Sequence, residues 1–197
     1  MIRLAELATI TGRTRESIRN ITKARHTPWD ESVFGDAGQR RYDGGHALAL
    51  VVMEMLTEQG FRLREAAEAV ATHKKVLAAF LDEVEASDNP AGCAERFVAG
   101  MRVCEEDDQT GRLWYPFFSF AGGDAEGILH AVSQQIARTG ETSLSHGGKR
   151  LNRRIGGPHL AIAPVKECYL ILRDRASRAG YEIVGRNIQK EAPEAGQ

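Results

Sequence analysis

Two short helices joined across a glycine, close to the N-terminus, constrain the fold of this chain more than any other feature. Leu4, Leu7 and Ala8 recur at helical spacing. Gly12 is placed to end this first helix, because glycine readily adopts the left-handed conformation found at helix ends. Thr14 can begin a second helix, since its hydroxyl can accept a hydrogen bond from an unpaired backbone N–H. Two short helices across such a turn predict a helix-turn-helix.

The second helix is expected to carry a basic outer face. Ile18 and Ile21 are spaced to face the core. Arg15, Arg19 and Lys23 are then left on the outer surface. In a helix-turn-helix this face enters the major groove of DNA, and arginine can donate bidentate hydrogen bonds to phosphate and to guanine. The pattern therefore indicates binding to double-stranded DNA.

A turn-rich insert and a long amphipathic helix follow. Pro28 is expected to end the second helix, because proline disfavours helical geometry in the residue before it. Residues 29–42 are rich in glycine and aspartate and are predicted to form a wing of two short strands. Asp43 is placed to cap a third helix and Gly60 to end it. The apolar residues of this helix match the helical template: Leu48, Val51, Val52, Met55 and Leu56.

The next segment has two interpretations. Leu63, Val70, Leu77 and Val84 are spaced by seven residues, which is typical of a short coiled-coil seam. The same spacing suits two consecutive helices packed in the core of a monomer, and the sequence leaves both alternatives open. Residues 73–92 are accordingly predicted as a linking segment that would serve dimerisation in the first case.

The C-terminal region is predicted to be mixed α/β. The expected elements are helices over 93–108 and 124–139, a strand over 113–120, and strands over 160–165 and 181–184 that flank another helix. The strand over 113–120 is so aromatic that we expect it at the centre of a small sheet or at a buried interface. The fold class is therefore α+β: a winged helix-turn-helix domain at 1–72, the linking segment at 73–92 and a small α/β domain at 93–197.

Composition and charge fit a soluble DNA-binding protein. The apolar fraction of 42% and charged fraction of 27% are ordinary for a globular chain. No apolar run could cross a bilayer, and the N-terminus lacks the apolar core of a secretory signal. Three widely spaced cysteines do not indicate a disulfide framework, so a cytoplasmic location is expected. The net charge is −1, but residues 1–26 carry +4, and phosphate contact depends on such local charge.

The N-terminal third resembles the MerR family of winged-helix transcription regulators. The motifs that carry the resemblance are Ile2-Arg3-Leu4-Ala5-Glu6-Leu7-Ala8 with Gly12, then Thr14 and Ser17-Ile18-Arg19, then Arg40-Arg41-Tyr42-Asp43, and finally Leu56-Thr57-Glu58-Gln59-Gly60-Phe61-Arg62-Leu63-Arg64-Glu65. The chain departs from the family at Asn20-Ile21-Thr22, where aromatic residues and an acid are usual. The long dimerisation helix of the family is also short or absent here.

The resemblance implies roles for the matching residues. Thr14 and Arg15 would open the recognition helix, and Arg19 would point towards DNA. The segment Arg40–Tyr42 would lie at the base of the wing, where its arginines contact phosphates and its tyrosine supports them. Asn20 departs from the family but can read adenine in bidentate fashion. The predicted DNA-binding residues are Thr14, Arg15, Ser17, Arg19, Asn20, Lys23, Arg40, Arg41 and Tyr42.

A second basic segment lies between paired glycines near the C-terminal end. Its bases are Lys149, Arg150, Arg153 and Arg154. They suit either a second contact with DNA or another anion, or an ordinary solvated loop.

Metal binding and catalysis are not indicated. Cys93 and Cys104 supply two thiolates, which do not complete a soft-metal site. The glycine-rich turn at 122–127 contains two acids that would repel phosphate, and no P-loop lysine follows it. The histidines fit no zinc motif, and there is no Gly-x-Ser-x-Gly elbow. We therefore expect no metal, no cofactor and no enzymatic activity.

The sequence as a whole predicts a sequence-specific regulator of transcription. Its partners would be double-stranded DNA, RNA polymerase and a second copy of the chain in a homodimer, with no membrane involved. One alternative is an architectural DNA-binding factor of the excisionase kind, which uses a similar winged helix without sensing a ligand. Another is a small-molecule-binding or catalytic C-terminal domain to which the helix-turn-helix is secondary.

Overall fold

The computed structural model describes residues 1–29, 40–87, 89–107, 112–114, 116–142 and 155–191, and it has the α+β class that the sequence predicts. The N-terminal elements are all helices: α1 (Leu4–Thr11), α2 (Arg15–Lys23), α3 (Gly44–Glu58), α4 (Leu63–Thr72) and α5 (Lys74–Ser87). After a 3-10 turn at Pro90–Gly92 the elements are mixed: β1 (Phe97–Asp107), β2 (Arg112–Trp114), β3 (Phe117–Gly122), α6 (Ala125–Thr142), β4 (Ile155–Pro164), α7 (Val165–Arg178), β5 (Tyr181–Val184) and β6 (Asn187–Lys190).

The first three helices begin and end close to where the sequence predicts. Gly12 follows α1 with a φ of +71°, the left-handed conformation that ends a helix. Thr14 caps α2, and its hydroxyl accepts a hydrogen bond from the N–H of the third helical residue at 3.0 Å. Asp43 caps α3 in the same way, also at 3.0 Å. Of the predicted wing, residues 30–39 lie outside the described residues.

The residues spaced by seven in α4 and α5 face the core of their own chain. Val70, Leu77 and Val84 are at most 4% exposed, and Leu63 is half-buried against the same core. Of the two alternatives that the sequence leaves open, the structure therefore has consecutive helices packed within a monomer core.

The predicted helix over 93–108 is wrong, because residues Phe97–Asp107 of this segment form strand β1. Val98 and Gly100 face one side of the sheet, while Ala99 and Met101 face the other, and all four are buried. A strand buried on both faces lacks the polar–apolar alternation that distinguishes a strand from a helix. The misassignment follows from that burial.

The aromatic segment belongs to two strands rather than the single predicted one, β2 and β3, and among the described residues both pair with β1 alone. Strands β2 and β3 pair with β1 in one continuous antiparallel register, from Phe97 opposite Gly122 to Asp107 opposite Arg112. Strand β4 pairs with the other edge of β1. The central strand is therefore β1, and the expectation of a central aromatic strand is wrong.

The remaining C-terminal predictions agree with the structure. Asp124 accepts a hydrogen bond from the N–H of Gly127 at 2.6 Å at the start of α6. Helix α7 lies between strands β4 and β5, as expected, and β5 pairs with β6 as a hairpin.

The sheet lies between two helical layers. On one face, Val98, Ala161 and Ala163 join a core that also contains buried residues of α1 to α5 and of α7. On the other face, Ile128 and Val132 of α6 cover the sheet. Residues of all three predicted segments thus share the first core.

Candidate nucleic-acid interface

Helix α2 presents its cations to solvent. Ile18 and Ile21 are 0% and 1% exposed and fix the inner side of the helix. Arg15, Arg19 and Lys23 are exposed at intervals of four residues, or about 6 Å along the axis, so they form one stripe. Within the described parts of the chain, no carboxylate lies within ion-pair distance of these three residues. Their charges are therefore available to an external anion.

The base of the predicted wing is held against α1 and α3. The backbone of Tyr42 exchanges two hydrogen bonds with Ile2, at 2.7 and 2.9 Å. The Tyr42 ring is 2% exposed and packs edge-on against Trp29 and His46, with ring centroids 5.9 and 5.6 Å away. Tyr42 therefore supports the surface from below, while Arg40 and Arg41 are exposed beside it.

Residues from the recognition helix and from the wing base meet at one surface pocket. Arg19, Lys23 and Arg40 line a shallow pocket of about 230 Å³, and the other described residues of its lining are uncharged. The chain thus brings three cations together from two separate segments. Local clusters of this kind, rather than the net charge of −1, decide where a chain can contact phosphates.

The other predicted residues lie on a different side of α2. Thr14, Ser17 and Asn20 line a second shallow pocket of about 510 Å³, whose lining also includes one base and one acid, Arg13 and Glu16. Arg15 and Arg41 are exposed outside both pockets. The predicted site therefore divides into a cationic side at the wing base and a mainly polar side next to the helix-turn-helix turn.

Helix α7 contacts the turn between α1 and α2 through the side chain of Arg175. Arg175 donates a hydrogen bond to the carbonyl oxygen of Thr11 at 2.9 Å and forms an ion pair with Glu54 at 2.8 Å. The hydrogen bond to Glu54 raises the pKa of Arg175. No local pattern connects Arg175 with a turn 164 positions earlier, and sequence reasoning missed this contact.

Arg13 is a second residue of the turn that sequence reasoning did not single out. Its Nε is buried and makes no hydrogen bond within the described residues. Burial lowers the pKa of the guanidinium, while Glu54 opposes this effect and Arg175 adds to it. Glu54 thus forms an ion pair with Arg175 and also acts electrostatically on Arg13 beneath the turn.

Asp43 and His46 form a polar contact at the start of α3, next to the wing base. The imidazole and backbone N–H of His46 both contact the carboxylate of Asp43. Burial raises the pKa of Asp43, but these hydrogen bonds outweigh burial and leave the pKa below its usual value. Asp43 therefore remains ionised and continues to cap the helix at neutral pH.

The structure does not describe the second basic segment that the sequence predicts. Lys149, Arg150, Arg153 and Arg154 lie outside the described residues, so their role stays a prediction. In the ranges that the structure describes, no group of three or more His, Cys, Asp or Glu side chains could hold a metal ion. Cys93 is buried, and the side chain of Cys104 lies outside the description. No helix in the described chain has the length and apolar character of a membrane span.

Comparison with protein-family models finds no match to this chain, and comparison with curated proteins finds none either.

Proposed function

We propose that this protein binds double-stranded DNA sequence-specifically and regulates transcription, with α2 in the major groove and the wing base on the adjacent backbone. The observation that carries the proposal is the shared pocket of Arg19, Lys23 and Arg40. Arginines and lysines that neutralise phosphates supply much of the affinity of a DNA-binding protein. An exposed helix beside them supplies side chains that can reach base edges.

The positions of the predicted DNA-binding residues suggest that some of them contact phosphates and others contact bases. The cationic side would contact phosphates and set the orientation of α2, because phosphate contacts position a protein without reading sequence. Arg15 and Asn20, both exposed on α2, would read bases. A bidentate contact of this kind contributes about 1–3 kcal/mol of discrimination between bases.

Selection of preferred sequences from random double-stranded DNA tests the proposal. We expect an enriched motif, and a reporter gene that carries this motif should change expression when the protein is present. A palindromic motif would support the homodimer that the sequence predicts, since the symmetry of the site mirrors that of the protein. Recovery of unenriched DNA would argue against sequence-specific binding, and an enriched motif without any effect on the reporter would argue against regulation. We further propose that this takes place in the cytoplasm.

A further inference from the structure

The C-terminal hairpin contacts the wing base at the start of α3. The N–H of Gly44 donates a hydrogen bond to the carbonyl oxygen of Arg186, in the turn between β5 and β6, at 2.9 Å. A Cβ added at Gly44 would overlap the carbonyl oxygen of Gly185, so only glycine allows this approach. On its other side, the N–H of Arg186 donates to Glu85 of α5 at 2.6 Å. The start of α3, the turn between β5 and β6, and α5 are thus in contact with one another through Gly44, Arg186 and Glu85.

A cavity opens at this junction. It has a volume of about 290 Å³, close to the lower end of the range typical of small-molecule sites. Its walls are mostly apolar: Trp29, Ala49, Val70, Leu77, Ala78 and Leu81. Pockets that bind small ligands combine such walls with a few polar groups, and they occur preferentially where separate parts of a structure meet.

One cation in the lining of the cavity makes no ion pair within the described residues. Asp43 is engaged by His46, and Arg186 forms ion pairs with Asp82 and Glu85. Lys74 also lines the cavity, and it has no ion-pair partner among the described residues. A ligand with a single negative charge would therefore find both an apolar wall and a complementary charge.

The cavity touches the aromatic cluster that supports the wing base. Trp29 lines the cavity and also packs against His46, with ring centroids 5.0 Å apart, and against Tyr42 at 5.9 Å. A molecule in the cavity would contact the ring on which Tyr42 packs.

We propose that this cavity binds a small, mainly apolar monoanion, of the aromatic carboxylate class, with its carboxylate beside Lys74. Trp29 reports occupancy directly, because it is one of only two tryptophans in the chain. A Trp114→Phe variant leaves Trp29 as the single tryptophan. The probes are 4-isopropylbenzoate and the neutral 4-isopropylbenzamide, which have the same shape and differ in charge.

We expect saturable quenching or enhancement of Trp29 fluorescence, with the benzoate binding about tenfold more tightly than the benzamide, the size of one charge-assisted hydrogen bond at a partly exposed site. Lys74→Gln should abolish this preference. Lys75→Gln is the matched control, because Lys75 is an exposed neighbour that does not line the cavity, and it should retain the preference. Ala78→Leu should weaken both probes by filling the cavity.

Three results would overturn the proposal: no saturable signal at millimolar probe, equal affinity for the two probes, or a Lys74→Gln variant that keeps the preference. Since the titrations contain no DNA, their failure would leave the proposed DNA-binding function untouched.

Discussion

The contact between α7 and the helix-turn-helix turn gives a quantitative test of how the C-terminal region supports the N-terminal one. Arg175→Met keeps the length and apolar stem of the side chain but removes the guanidinium. The variant loses a charge-assisted hydrogen bond to the carbonyl oxygen of Thr11, which contributes about 1.5 kcal/mol. It also loses the ion pair with Glu54, whose two side chains are 30% and 25% exposed and whose contribution is about 1 kcal/mol.

The two losses do not add in full. Arg13 lies close to the same carboxylate, and removal of Arg175 relieves the repulsion between the two guanidinium groups. We therefore expect the free energy of unfolding to fall by about 2 kcal/mol, which corresponds to about 4–8 °C in Tm for a chain of this size.

Urea denaturation followed by circular dichroism measures the effect. Arg178→Met is the control, because Arg178 pairs with Asp174 on the same helix but the two side chains are 75% and 56% exposed. Such exposed pairs contribute about 0.5 kcal/mol or less. A double-mutant cycle with Glu54→Gln should give a coupling energy of about 1 kcal/mol between residues 54 and 175. Equal destabilisation by Arg175→Met and Arg178→Met would refute the reasoning.

Three further tests concern other contacts of the same framework. Gly44→Ala places a methyl group against the β5–β6 turn and should lower the unfolding free energy by about 2 kcal/mol in urea. Gln59→Ala removes both amide hydrogen bonds to the backbone of Ile162 in β4, so the N–H of Ile162 should exchange faster, and unchanged protection there would contradict the assignment. Burial raises the pKa of Glu65, but hydrogen bonds, chiefly from Arg102, leave it below its usual 4.5. This pair should therefore stabilise the fold above about pH 4.5 and lose its effect as the pH falls further, and Glu65→Gln should flatten that part of the pH profile whereas Glu68→Gln, at an exposed site on the same helix, should not.

Local signals in the sequence were sufficient to predict where a helix begins or ends when a single residue caps or terminates it. Gly12, Thr14, Asp43 and Asp124 all end or cap helices as predicted, because the hydrogen bonds involved connect residues three or four positions apart. The segment that became β1 could not be assigned in this way, since both of its faces are buried and its pattern suits a helix equally well.

Contacts between distant segments were beyond local reasoning. Gln59 reaches 103 residues along the chain to complete the edge of β4, and Arg175 reaches back 164 residues to the turn. Glycine, glutamine and arginine at these positions look ordinary until the fold brings their partners close. The candidate interface was easier to predict, because its residues on α2 are set by helical spacing and those at the wing base by family resemblance. The meeting of Arg19 with Arg40 at one pocket appears only in the structure.

The most direct test of the account is the affinity of Arg19→Ala for the selected DNA site at fixed salt concentration. Arg138→Ala is the control, since Arg138 is an exposed arginine on α6, across the sheet from the N-terminal helices. We expect Arg19→Ala to bind the site at least tenfold more weakly, a loss of about 1.4 kcal/mol, while Arg138→Ala binds like the unaltered protein. Unchanged affinity in Arg19→Ala would contradict the claim that α2 lies against DNA.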